Sequence, residues 1–379
     1  MQKTLLTILL LISCTVLSAQ ELHFSRTIPS AYFGKDRELL ISLPEGYHDS
    51  SNLKKRYQVA YVFDSQNDYF FRYAASLIQN LNFSGSFEPT IIVGIRSTNR
   101  RFEFTPKLLS DGPYKSWTKT GGADSLLPHL EAEVFPYIEK QFRTTPVRIG
   151  LGHSLGATFL TWCLTSGRRV FDAHIMISPN YEYDNEQLIT RVKGATVSNN
   201  TFVYLARGKD DSYETRFAPG IEKAVPLYRE KLELQYEVLD VNNHGNTYLT
   251  GFIHGLIAYH RSIYGKAENT IKRFTALSEN YGYKLDADQI NSIAYNYFMR
   301  PATWQEAVKI FDWGLKWYPE NVNLYDSMSE AYENAGNKEE AIKYCLKGLQ
   351  QLEAQKAKTG QTNEGQKKYI EGRLVKLKG

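Results

Sequence analysis

The run Gly152-His153-Ser154-Leu155-Gly156 constrains this chain more than any other stretch. Val147 to Leu151, just before it, is short and mostly apolar and reads as a strand; Ala157 to Cys163, just behind it, reads as a helix. A serine at such a strand-to-helix turn sits on a tight bend that lifts its hydroxyl clear of the backbone. The flanking positions are glycine because side chains there would collide within the turn. The expectation is a sheet with an exposed hydroxyl at one edge.

The rest of the first two thirds agrees with a sheet. Strands are expected over Glu38 to Leu43, Gln58 to Phe63, Thr90 to Ile95, Val147 to Leu151, Ala173 to Ile177, Phe202 to Ala206 and Leu234 to Val241. From Gln58 onward they are rich in Val, Ile and aromatics, as strands buried on both faces are. Helices alternate with them. Ala123 to Phe142 is the clearest, with Leu127, Leu130, Val134, Ile138 and Phe142 on one stripe. Pro136 should bend it. Such alternation implies an α/β fold with a mainly parallel sheet covered on both sides.

After Gly265 the strand signals stop. Glu306 to Leu315 is echoed by Glu340 to Leu349 at an offset of 34 residues, the period of a tetratricopeptide repeat. The spacing predicts a small all-α domain over 266–355 with two such repeats, and docking onto the preceding 20–265 domain because two repeats are marginal alone. Residues 356–379 are polar and rich in Lys and Gln, a solvated capping helix or disorder.

A reactive serine needs a base, and the base an orienting acid. His174, His244, His254 and His260 follow Ser154. His174 falls inside a strand, and His254 and His260 inside the last helix of the α/β part. His244 sits in the turn after the last strand, at the sheet edge where chemistry collects, and is the expected base. The acid should follow Phe202 to Ala206. Asp211 is favoured by its spacing from Gly208, Asp210 is the alternative, and Glu214 comes third. Whichever carboxylate is not catalytic should cap the next helix. For the oxyanion, one donor is expected from the N–H of Leu155 at a helix start. The other should come from Ser65 or Gln66, in the turn after Tyr61-Val62-Phe63. The arrangement is one for acyl transfer.

These residues resemble the enterochelin (ferric enterobactin) esterase-like family of the α/β-hydrolases. Three further stretches carry the likeness. Tyr61 to Gln66 resembles the family's Leu-Leu-Asp-Gly-Gln strand exit. Val93-Gly94-Ile95 followed by Arg101 to Pro106 resembles its Val-Gly-Ile…Arg-x-x-Asp-x-Thr-Pro loop. Gly121-Gly122-Ala123-Asp124 resembles its Gly-Gly-Ala helix entry. The resemblance implies a serine esterase without a large lid, and with no metal or organic cofactor. It also implies that Arg101 ties its loop down, unless it pairs with an anionic substrate group. Ser65 and Ala157 stand where the family usually has glycine.

Aromatics crowd the loops expected near Ser154. Tyr69, Trp117 and Tyr181, with Arg101, are the candidate substrate contacts, suited to an aryl or sugar ester. A small-molecule or glycan ester is therefore the expected substrate. An acyltransferase using the same three residues is the first alternative. A repeat domain that binds a protein partner, with the hydrolase as scaffold, is the second. A formal charge of +4 without a basic block argues against nucleic acid. Lys3, the apolar Leu5 to Ile12 and the small Ser18-Ala19 read as an export signal over 1–19, hence a secreted or periplasmic protein. Read instead as a lipoprotein box, Leu11 to Cys14 would anchor the protein to a membrane through Cys14. Cys163 and Cys345 lie in different predicted domains, so no disulfide is expected.

Overall fold

The computed structural model describes residues 22–117, 119–197 and 201–379. The export signal and Cys14 lie outside the described residues. Eight strands form one sheet in the order β1-β2-β4-β3-β5-β6-β7-β8. β1 (His23–Ile28) and β2 (Arg37–Ser42) are antiparallel to their neighbours. β3 (Tyr57–Val62), β4 (Thr90–Ile95), β5 (Thr144–His153), β6 (Ala173–Ile177), β7 (Phe202–Arg207) and β8 (Glu233–Val238) all run parallel. Their carboxyl ends therefore share one edge. This is an α/β-hydrolase fold followed by a helical region.

Alternation along the strands decides which helix each side chain meets. Ala60 and Val62 of β3 face α1 (Asp68–Phe83) and α7 (Thr247–Tyr264), through Phe70, Ala74, Phe252 and Leu256. Val59, Tyr61 and Phe63 face the opposite layer. That layer holds α2 (Ala123–His129), α3 (Phe135–Gln141), α4 (Leu155–Leu164), α5 (Tyr183–Gly194) and α6 (Ser212–Arg229). The expected bend at Pro136 takes a specific form. A π-helical turn, Leu130–Val134, joins α2 to α3 and ends just before Pro136 enters the first turn of α3, where its missing N–H is harmless.

Two strand expectations needed correction. β1 was missed, because five of its six residues are not buried and an edge strand of mixed polarity has no clear period. β5 begins earlier than Val147. Its register against β3 slips between Tyr57 and Val59, and the extra residues include Pro146, which a bulge tolerates and a regular ladder does not.

The helical region comprises α8 (Ala267–Tyr281), α9 (Ala287–Ile293), α10 (Trp304–Trp317), α11 (Val322–Asn334), α12 (Lys338–Thr359) and α13 (Glu364–Lys378). The polar tail is helical, with Ile370 and Leu377 buried against Val322, Ala341, Cys345 and Leu352. Cys163 and Cys345 are both free and buried. The core on the α7 side of the sheet runs without a break from Phe252 and Leu256 into Phe274, Leu277, Ile290 and Phe311. Truncation after Gly265 would strip that apolar surface, at roughly 25 cal/mol per Å² exposed. The intact chain is expected to melt in one calorimetric transition, and the truncated chain to aggregate or melt much lower. Two separate transitions in the intact protein would contradict a shared core.

Four buried histidines, His129, His153, His174 and His260, tie stability to pH, each with its pKa lowered by burial. Burial pushes His174 from 6.5 down to about 3 and His260 from 6.5 down to about 4. The unfolded chain takes up these protons near 6.5 while the folded chain resists, so acid favours unfolding. Stability is expected to fall as pH drops from about 6.5 towards 4, by at most roughly 1.4 kcal/mol per unit for each histidine. Glu88, whose carboxyl burial raises, works in the opposite sense. The melting temperature between pH 7 and 4.5 measures the slope, and His260→Phe should flatten it. An unchanged slope in that variant would refute the assignment.

Candidate active site

Ser154 closes β5 and opens α4 with φ 54° and ψ −118°, a conformation that a non-glycine residue holds only when its surroundings force it. The Ser154 N–H donates to the Ile177 carbonyl on β6 (2.8 Å), and the Ser154 carbonyl accepts from Thr158 N–H (2.9 Å). The bend is thus pinned on both sides. A Cβ on Gly152 would stand 2.5 Å from the Gly156 carbonyl carbon, and one on Gly156 would stand 3.2 Å from Asp64 Oδ2. Gly152 is therefore required by close approach to backbone, and a side chain at Gly156 would press on Asp64. Leu155 begins the helix, so its N–H is among those without an intrahelical acceptor.

His244 starts a short turn between β8 and α7. Its Nδ1 lies 2.6 Å from Glu214 Oε1. The Glu214 side chain is fully buried, and its other oxygen accepts the Gly208 N–H at 2.7 Å. One carboxylate thus links the exits of β7 and β8. Glu214, the third candidate, and not Asp211, thus stands against His244 Nδ1. The Asp211 carboxylate caps α6 by accepting from Tyr213 N–H at 2.8 Å, a bond that also holds its pKa below the usual value. Asp210 is exposed on the preceding turn. The reason is helical geometry. Asp211 at the N-cap points at the helix's own amides, while Glu214, one turn on and longer, reaches inward.

The His244 ring lies between two aromatic faces, His153 at 4.6 Å and Tyr213 at 5.2 Å between centroids, with the Phe217 edge at 5.6 Å. His153 is buried, and desolvation together with its neighbours His244 and Arg100 pushes its pKa well below the ordinary imidazole value. It is therefore neutral and adds no charge beside His244. The other histidines lie elsewhere. His174 is inside β6, His254 pairs with Glu237, and His260 packs on Tyr264 and Tyr297.

Ser154, Leu155 and His244 border one cleft of about 400 Å³, together with Asp64, Asn180, Arg100, Arg216 and several aromatics. Of the expected substrate contacts, Tyr69, Arg101 and Trp117 border it. Tyr69 is 65% exposed, at the rim. The Arg101 guanidinium lies 5.2 Å from the Trp117 ring. Tyr181 does not reach the cleft. It is fully buried, and its hydroxyl is bonded to Thr161 Oγ1 (2.9 Å) and Tyr228 Oη (2.7 Å), so it packs the core.

Two expectations about neighbouring loops also change. Arg100, not Arg101, ties the loop after β4, donating from Nε and Nη2 to the two oxygens of Asp64 at 2.6 and 2.9 Å. Arg37 secures the same loop through the buried Glu103. After β3 the Ser65 N–H is taken by the Ile95 carbonyl (3.2 Å) and its hydroxyl by the Val62 carbonyl (2.8 Å), so Ser65 has no donor left for an oxyanion. The Gln66 side chain bridges Asp64 and Ser97 N–H. Asp64, at φ 66°, is the residue of this turn that borders the cleft.

Asn180, Arg216 and the Asp64–Arg100 pair escaped the sequence reading, and Glu214 was placed only third among the acids. Asp-x-x-Glu ahead of a helical run marks its first residue as a cap, but the same pattern assigns Glu214 to the Asp211 N–H, so it does not choose between the two acids. Among the described residues no group of three or more His, Cys, Asp or Glu is placed to hold a metal ion, and no helix is long and apolar enough to cross a membrane.

No curated protein matches the chain in sequence. Among solved structures it is similar to an IroE-like serine hydrolase from Shewanella oneidensis, at 22% identity and TM-score 0.60 over 82% of this chain and 98% of the other. It is similar also to an uncharacterised protein from Capnocytophaga ochracea, at 14% identity and TM-score 0.60 over 94% and 99%. A third is the siderophore hydrolase EstA from Aspergillus nidulans, at 19% identity and TM-score 0.52 over 63% and 94%. At such identities the likeness establishes the fold. The family model described as Putative esterase matches residues 30–252, more than half of the chain. With a strained serine and a carboxylate-backed histidine at one cleft of an α/β-hydrolase sheet, the chain belongs to that family and is a carboxylic ester hydrolase.

Proposed function

We propose that Ser154, His244 and Glu214 act as nucleophile, base and orienting acid in ester hydrolysis through an acyl-enzyme. The observation that carries this reading is the buried Glu214 carboxylate against His244 Nδ1, on an imidazole that borders the same cleft as Ser154. Ser154 Oγ attacks the ester carbonyl carbon while its proton passes to His244 Nε2. The C–O bond then breaks and that proton goes to the leaving alcohol. Water repeats the sequence on the acyl-enzyme, releasing the acid and restoring Ser154. Glu214 keeps Nδ1 protonated and stabilises the imidazolium. The Leu155 N–H supports the oxyanion, and the second donor comes from the main chain of the Asp64–Gln66 turn, with Ser65 excluded.

The substrate is a small-molecule ester met outside the cytoplasm, where the export signal would send the chain. Aromatic residues and three arginines around the cleft favour an acyl or alcohol part with an aryl or polar ring. Residues 266–355, as two tetratricopeptide-like repeats, brace the sheet through the shared core. The test is a panel of short-acyl, feruloyl and catecholate esters with Ser154→Ala as control. Turnover of at least one ester, lost in the control, is the expected result. Turnover that survives in the control would overturn the reading.

A further inference from the structure

The first turn of α5 is not helical. Asp184, Asn185 and Glu186 hold φ of 52°, 53° and 63° in succession, a left-handed run that non-glycine residues rarely adopt together. Such a conformation persists only where other contacts hold it. Here they converge on Asp184, which is 4% exposed. Its carboxylate accepts from Leu109 N–H (2.7 Å), Ser110 N–H (2.9 Å), Ser110 Oγ (2.5 Å) and Gln187 Nε2 (2.8 Å). Three of these four donors belong to a loop some seventy-five residues away in sequence. The preceding residue grips the same loop, with the Tyr183 hydroxyl donating to the Pro106 carbonyl at 2.8 Å.

That loop leads directly to the cleft. Four residues beyond the clamp, Tyr114 borders the cleft, as does Trp117. The Tyr114 hydroxyl accepts from Asn180 Nδ2 (2.9 Å) and from Arg216 (3.0 Å). The Tyr114 ring meets Trp117 edge-on, with centroids 5.0 Å apart. We infer that Asp184 is a positioning residue that fixes the 107–117 loop, so that Tyr114 and Trp117 form a preset wall that orients a bulky acyl part of the ester. This rests on the ester-hydrolase reading of the cleft. A small acyl group reaching only Ser154 would not touch the wall, whereas a bulky one would be oriented by it. A loose wall therefore penalises large substrates selectively.

The test compares 4-nitrophenyl acetate with 4-nitrophenyl benzoate for the wild-type chain and Asp184→Asn, which keeps the size and removes the charge. For the benzoate, kcat/KM is expected to fall by about tenfold or more, chiefly through KM, and for the acetate to stay within about threefold. Hydrogen exchange at Leu109 and Ser110 should quicken in the variant. Should Asp184→Asn fail to fold, Ser110→Ala removes one of the four donors and should show the same selectivity to a smaller degree. Equal losses on both esters, or unchanged exchange at the two amides, would overturn the proposal. Should the wild-type chain hydrolyse neither ester, the comparison passes to the smallest and bulkiest acyl esters of the panel that it does hydrolyse; failure on the whole panel refutes the hydrolase reading instead, and the exchange rates still decide whether Asp184 holds the loop.

Discussion

Ser154→Ala is expected to lower kcat on any hydrolysed ester by roughly 10⁴-fold or more while leaving the fold intact. The loss is large because no other group can form the acyl-enzyme. His153, next in sequence, is buried and neutral with its ring against His244, and the nearby carboxylates are spent on Glu214–His244 and Asp64–Arg100 contacts. Residual turnover should come from the oxyanion donors and from binding alone. Folding should not suffer, because the Ser154 backbone carries the strain and both of its main-chain bonds survive the substitution. Alanine must still adopt the positive φ, so a small drop in melting temperature is compatible with this reading. Burst kinetics with a chromogenic ester provide the check, since the wild type should release the alcohol ahead of the acid and the variant should show no burst.

The second expected result separates two acids that lie three positions apart. Glu214→Gln should reduce kcat by about 10³–10⁴-fold, because an amide can present its NH₂ to His244 Nδ1, favour the wrong tautomer and withdraw the charge that supports the imidazolium. Asp211→Ala should leave kcat within about threefold and instead cost about 1 kcal/mol of stability through the lost cap on α6. The pair of measurements is a crossed test, with activity following one residue and melting temperature the other. If Asp211→Ala abolished activity and Glu214→Gln did not, the assignment from geometry would be wrong.

The two residues also show where sequence reasoning runs short. The bend at Ser154 was legible because it is encoded locally: the flanking glycines and the strand-to-helix switch leave one conformation for the turn. The place of His244 at the sheet edge was legible by elimination, since its competitors fell inside regular elements. The carboxylate that meets it was not, because a spacing rule counts residues and ignores direction. Three residues into a helix rotate a side chain by most of a turn, and that rotation exchanged the half-buried cap for the fully buried partner. Tyr181 failed for a related reason. An aromatic in a loop near the site can turn to the cleft or to the core, and the hydroxyls of Thr161 and Tyr228 drew it inward. Arg100 and Arg101, adjacent in sequence, point to different partners for the same cause.

What the amino-acid sequence determined by itself was whatever depends on near neighbours: the α/β alternation, the parallel sheet, the serine on its bend and the switch to helices after Gly265. Tertiary structure alone decided which carboxylate backs His244, which arginine holds the loop after β4, and that Asp184 reaches across to Leu109 and Ser110. Local periodicity sets which elements form, because hydrogen bonds and apolar stripes repeat along the chain. Which polar group meets which across the sheet edge depends on the direction each side chain leaves its element, and only the packed fold sets that direction.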